Sequence, residues 1–116
     1  MKKKIMIVDD DPDIRMTVKT ILEKEGYGVV EANDGDECLT KLASHKIELI
    51  LLDIMMPGTP VREVVKRIKD TKILFVSVVR TTEAEKEGLF ATKNILGFVH
   101  KPFDIQELVD VVKKNT

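Results

Sequence analysis

Ile50-Leu51-Leu52-Asp53-Ile54-Met55-Met56-Pro57-Gly58 decides how this chain is read. Three aliphatic residues run into one carboxylate, and apolar residues then lead to a Pro-Gly turn. An apolar run bounded by turn residues is a buried strand, and a strand covered on both faces is apolar throughout rather than alternating. Asp53 therefore stands where a buried strand ends. Burying a charge is costly unless it is paired or bound to a metal. Taken alone, such a carboxylate reads as a helix N-cap or a turn residue. What changes that reading is the company Asp53 keeps at the ends of the other strands.

Upstream, Ile5 to Val8 is a first buried strand that runs straight into Asp9, Asp10 and Asp11. Pro12 suits the first position of a helix, with Asp11 as its cap. Ile14, Val18, Ile21 and Leu22 give that helix an apolar face, and Gly26 closes it. Tyr27 to Glu31 reads as a second strand, Asn33-Asp34-Gly35 as a turn, and Asp36 to Ser44 as a second helix with Cys38, Leu39 and Leu42 inward. Glu48 to Leu52 is the third strand. Downstream, Val61, Val64, Val65 and Ile68 mark a third helix, and Ile73 to Val79 a fourth strand broken only by Ser77. Thr82, with Glu85 three residues on, predicts the capping box of a fourth helix running to about Lys93. Gly97 to His100 is a short fifth strand ended by Lys101-Pro102. Asp104 caps a last helix on which Ile105, Leu108, Val109 and Val112 keep the helical period.

Five strands alternating with five helices predict an α/β fold with a parallel sheet and right-handed crossovers. In such sheets ligands bind beyond the carboxyl ends of the strands, at the topological switch point. At those ends stand Asp9 and Asp10, then Asp53, then Ser77, then Lys101. Each interrupts or ends an otherwise apolar run, and together they converge on one edge.

Composition narrows the function classes. The 116 residues fit one domain spanning 1–116, and 43% hydrophobic with 34% charged residues exclude a disordered chain. The apolar runs are too short to span a bilayer, and the basic start at Lys2-Lys3-Lys4 lacks the apolar stretch of a signal peptide. With Cys38 as the single cysteine, the expectation is a reducing cytoplasm and no membrane insertion. A formal net charge of −1 gives no footprint for direct nucleic-acid binding.

Three carboxylates held together repel one another. An oxygen-only donor set suits a hard divalent cation, and Mg²⁺ fits best because it keeps waters and accepts phosphate oxygens. Lys101 adds a point charge suited to a phosphoryl oxygen, and Ser77 a hydroxyl donor. A carboxylate in such surroundings can act as a nucleophile in phosphoryl transfer, where positioning and charge neutralisation do most of the work. The residues thus describe a Mg²⁺-dependent site that forms an acyl phosphate.

Asp9-Asp10, Asp53-Ile54-Met55-Met56-Pro57, Ser77 and Lys101-Pro102-Phe103 together resemble a response-regulator receiver domain of two-component signalling, similar to single-domain chemotaxis regulators. The resemblance covers the whole chain. It implies a doubly wound (βα)5 flavodoxin-like fold with strand order 2-1-3-4-5. It implies that Asp53 is the phosphoacceptor, taking its phosphoryl group from a sensor histidine kinase or from small donors such as acetyl phosphate. Asp10 matches the direct Mg²⁺ ligand, Asp9 its water-mediated companion, and Met55 a backbone-carbonyl ligand. Ser77 matches the hydroxyl that turns inward to the phosphoryl group, and Lys101 the lysine that bridges to it. Phe98 matches the switch aromatic, whose swing would remodel the face of the fourth helix, fifth strand and fifth helix. It further implies an unknown downstream protein target, with the chain a monomer or a phosphorylation-dependent dimer. The resemblance implies a signalling phosphoacceptor rather than an enzyme, limited to self-directed phosphotransfer and autodephosphorylation.

The pattern departs from the family at three places. Pro60-Val61 replaces an Asp-Gly pair, so the loop after Asp53 needs different turn chemistry. Val78 replaces a small residue and would narrow the opening over Asp53. Met55 and Val79 line the rim with apolar groups, which implies slow loss of the phosphoryl group. Cys38 reads as a small core residue, His45 and His100 as structural, and Asp11 and Asp13 as capping and first-turn groups. Two other functions are alternatives: a phosphorylation-independent receiver-like interaction module, and an aspartyl-phosphate-forming phosphohydrolase. Against the second, Met55 stands where such an enzyme needs a second acid. With the last helix reaching almost to Thr116, the expectation is either a chain that acts by docking to a partner or a part of a longer regulator.

Overall fold

Five strands, β1 (Lys4–Val8), β2 (Gly28–Ala32), β3 (Leu49–Leu52), β4 (Lys72–Ser77) and β5 (Ile95–His100), pair in parallel in the order β2-β1-β3-β4-β5. The computed structural model describes residues 2–78, 82, 88 and 93–116. Helices α1 (Pro12–Lys24), α2 (Gly35–Leu42), α3 (Val61–Arg67) and a C-terminal helix (Ile105–Lys114) cover the sheet. The fourth helix anticipated between Thr82 and Lys93 falls largely outside the described residues. Strand order and parallel pairing are those the sequence resemblance implied.

Alternation along each strand sorts the apolar side chains into two layers. Met6, Val8, Ile50, Leu52, Ile73 and Phe75 pack with α2 and α3 on one face of the sheet. Ile5, Ile7, Leu49, Leu51, Leu74 and Val76 pack with residues of α1 and the C-terminal helix on the other. Both faces are covered, which is why the strands read as continuous apolar runs. Fully burying one such side chain contributes about 1.5–3 kcal/mol. Cys38 belongs to the first layer, and burial pushes its thiol up to about 12.

Local chemistry sets the element ends. The Asp11 side chain accepts from the Asp13 N–H at 2.9 Å, with Pro12 as the first helical residue of α1. At the far end of α1, Gly26 takes φ +93°, its N–H reaches the Glu23 carbonyl, and the Tyr27 N–H reaches the Leu22 carbonyl. Those two bonds form a Schellman closure. They also commit the Tyr27 N–H, so β2 starts at Gly28, one residue later than the sequence indicated. β5 begins earlier than its polar punctuation suggested, because Ile95 already pairs with Ile73 before a register shift. β4 ends at Ser77, and Val78 lies beyond it, 62% exposed. Ile105 is also exposed, unlike the rest of the apolar stripe on the C-terminal helix.

Gly35 is a packing requirement rather than only a turn residue. A Cβ built there would lie 2.3 Å from Val64 Cγ2, where α2 meets α3. Alanine in a helix gains up to about 1 kcal/mol over glycine. Here the clash dominates, because Val64 is buried and valine is stiff at χ1. Gly35→Ala is expected to lose about 1–2 kcal/mol in urea unfolding. The loss should shrink in the Val64→Ala background, giving a coupling of about 1 kcal/mol. Additive effects would show that α2 simply shifts away.

Candidate functional site

Backbone bonds carry the ladder one residue past three strands. Asp9 N–H donates to the Ala32 carbonyl at 3.1 Å, Asp53 N–H to Val8 at 3.0 Å, and Lys101 N–H to Ser77 at 2.9 Å. Asp9, Asp53 and Lys101 are thus each the first residue beyond a strand yet remain tied to its neighbour. That fixes them side by side at the carboxyl edge of the sheet.

Asp9 and Asp53 are 3% and 5% exposed, and Ser77 is fully buried. Lys101 Nζ donates to Asp9 Oδ2 and, at 3.3 Å, to Asp53 Oδ2. Asp9 Oδ1 accepts from the Asp11 N–H at 2.9 Å, and Asp53 Oδ1 from the Met55 N–H at 3.1 Å. Burial pushes the Asp53 carboxyl above its ordinary value, and the Asp9 charge adds to that. Its hydrogen bond with Ser77, the Lys101 charge and the Met55 N–H pull the other way. For Lys101, burial acts to lower the ammonium, but its hydrogen bond to Asp9 and the charges of Asp53 and Asp9 outweigh this and raise it. The ammonium stays charged between the two acids.

Asp10 is exposed and completes a cluster in which Asp9, Asp10 and Asp53 each offer one oxygen, all within 4.8 Å of one another. Mg²⁺ takes one or two carboxylates directly and keeps several waters, so these three oxygens would hold it partly by closing in on it and partly through water. The exposed side of Asp10 leaves room for the waters that Mg²⁺ retains. The donor set therefore fits that ion.

Phe98 is half-buried on β5, its ring centroid 6.3 Å from Phe75 and 4.6 Å from His100. Met55 is 58% exposed at the rim, and Val79 lies outside the described residues. In the loop after Asp53, Gly58 takes φ +91° and Pro60 starts α3 with no side-chain cap. The special turn geometry is thus carried by Gly58, which leaves Pro60-Val61 free to open the helix. His45 Nδ1 meets the Lys41 carbonyl at 3.0 Å near the end of α2, a structural role. The sequence reading passed over Arg15, whose side chain reaches the Asp9 carbonyl. Its signal was the helical period, since Arg15 shares the stripe of Val18 and Leu22.

The family model for the response regulator receiver domain matches residues 5–113. The chain belongs to the response-regulator receiver family. Among its relatives, this receiver domain is 34% identical to sporulation initiation phosphotransferase F of Bacillus subtilis, over 98% of this chain and 94% of that protein. It superposes on chemotaxis protein CheY4 of Vibrio cholerae with a TM-score of 0.89 and 29% identity, covering 100% of both chains. It is also similar to response regulator TrrA of Thermotoga maritima, solved in complex with Mg(2+)-BeF, with a TM-score of 0.84, 36% identity, and 98% and 99% of the two chains covered. The receiver spans about half the length of other relatives, 48% and 46% of two transcriptional regulatory proteins. Among the described residues no helix is long and apolar enough to cross a membrane.

Proposed function

We propose that this receiver, a single domain over residues 1–116, is switched by phosphorylation of Asp53 in a Mg²⁺-dependent reaction, with a sensor histidine kinase as donor. The observation that carries the reading is the convergence of Asp9, Asp10 and Lys101 on a buried Asp53. Asp53 supplies the attacking oxygen, an O–P bond forms, and the bond from phosphorus to the donor breaks, releasing imidazole from a phosphohistidine or acetate from acetyl phosphate. Lys101, already between Asp9 and Asp53, neutralises charge on the incoming group, and Ser77 offers its hydroxyl from the end of β4. Mg²⁺, held by Asp9, Asp10, Asp53 and the Met55 carbonyl, would supply the remaining charge compensation when bound.

The new charge biases a two-state packing element. Ser77 turns toward the phosphoryl group, Phe98 follows, and the face around β5 and the C-terminal helix is presented differently to a downstream protein. The domain acts in the cytoplasm, as a monomer or a phosphorylation-dependent dimer, and turns over no metabolite. Intact-mass measurement after acetyl phosphate and Mg²⁺ tests this. The wild type is expected to gain one phosphoryl group and Asp53→Asn none. An unmodified wild type with donor and Mg²⁺ in excess, or equal labelling of the variant, would overturn the assignment.

A further inference from the structure

Arg15 is a mostly buried cation that the chemistry above leaves unused. Its side chain is 17% exposed on α1, beneath the β1–α1 turn. Nη1 donates to the Asp9 carbonyl at 2.5 Å, and Nε to Glu31 Oε1 on β2 at 3.3 Å. Glu31 is itself braced, its carboxylate 3.7 Å from Lys19 Nζ and its carbonyl accepting from Lys41 Nζ. Every polar atom of Asp9 is therefore engaged. Its N–H goes to Ala32, its carbonyl to Arg15, one carboxylate oxygen to the Asp11 N–H and the other to Lys101.

We infer that Arg15, oriented by Glu31, is a positioning residue that sets the direction in which Asp10 leaves the sheet edge. The reason lies in peptide geometry. The Asp9 carbonyl and the Asp10 nitrogen share one rigid plane. Fixing the carbonyl with a guanidinium fork fixes that plane, and with it the placement of Asp10, which otherwise sits exposed at the start of a turn. Lysine reproduces the fork poorly, because its donors rotate about a single nitrogen instead of standing in a rigid plane. Charge alone makes the opposite prediction, since an unpaired cation near three carboxylates would oppose a divalent ion. The pairing with Glu31 leaves little net charge facing the site, so geometry decides the sign.

This inference rests on the Mg²⁺ reading of the Asp9, Asp10 and Asp53 cluster, and its test separates the two. Mg²⁺ affinity is measured by calorimetry on the full chain as wild type, Arg15→Met, Arg15→Lys and Glu31→Gln. Val65→Ala, on the opposite face of the sheet, is the destabilised control. Exchange of the Asp11 amide, which bonds Asp9 Oδ1, is followed without metal. Arg15→Met is expected to weaken Mg²⁺ about tenfold, in keeping with supporting groups around metal ligands, and to speed Asp11 exchange. Arg15→Lys and Glu31→Gln should fall between it and the wild type, and Val65→Ala should bind as the wild type does. Unchanged or tighter Mg²⁺ binding by Arg15→Met, or weakening no greater than in Val65→Ala, overturns the inference. If the wild type binds no Mg²⁺, the reading of the cluster fails, and Asp11 exchange alone then decides whether Arg15 holds the turn.

Discussion

Replacing Lys101 with methionine is expected to slow phosphoryl uptake by Asp53 about a hundredfold and to lower stability by about 3 kcal/mol in magnesium-free buffer. Lys101 is the cation placed between Asp9 and Asp53, and both acids are nearly inaccessible to water. Methionine keeps most of the volume, so little packing is lost and the effect is electrostatic. Without the ammonium, two buried carboxylates face each other beside a third at Asp10. Breaking a buried pair from one side costs about 3–5 kcal/mol. The lower end applies here because Asp53, already pushed up by burial, can take a proton instead of holding its charge. A divalent cation compensates the same charges, so millimolar Mg²⁺ should recover part of the lost stability but not the lost rate. Equal losses with and without Mg²⁺ in thermal unfolding would show that Lys101 acts through packing.

Phe75→Ala should have the largest effect on stability, about 3–5 kcal/mol. Phe75 is completely buried at the middle of β4, in register with Leu52 on one side and Phe98 on the other. Truncation removes an aromatic ring from the layer under α2 and α3 and leaves a cavity that two neighbouring strands cannot close without slipping register. For a domain of this size the expected fall in Tm is on the order of 15 °C. Phe75→Leu should lose only about a third as much, because it retains most of the buried area. The cavity also opens beside Phe98, whose ring now leans on Phe75 at 6.3 Å. In Phe75→Ala the Phe98 ring should flip faster in NMR spectra, while in Phe75→Leu it should not. A loss below 1 kcal/mol would mean the layer refills the space.

Much of this architecture was readable from residue order. A strand covered on both faces must be apolar at every position, so the polar residue that ends it stands out, and Asp9, Asp53 and Lys101 were found that way. Caps were equally legible, because Asp11-Pro12, Gly26 and Asp104 do their work within a few residues of themselves. What stayed hidden depends on distant partners. Nothing local to Gly35 announces that Val64 passes within contact distance. Arg15 looked like one more charge on a helix surface, because its acceptors come from the residue just past β1 and from β2. Phe98 was picked out by its spacing to Lys101, but not its stacking on His100 two residues later. The later start of β2 came from a competition for a single N–H that only the closed helix end reveals.

The three ladder bonds at Asp9, Asp53 and Lys101 make the sheet a ruler for the chemistry. Deleting one residue within β3 would draw Asp53 back by about 3.3 Å and turn it to the opposite side. Lengthening the connections at the other end of the sheet, such as the stretch between α2 and β3, would leave the spacing of the reactive groups untouched. Tolerance to insertion should therefore divide sharply along the molecule. One end is free to diversify in length, and the other is held to the count of residues in each strand.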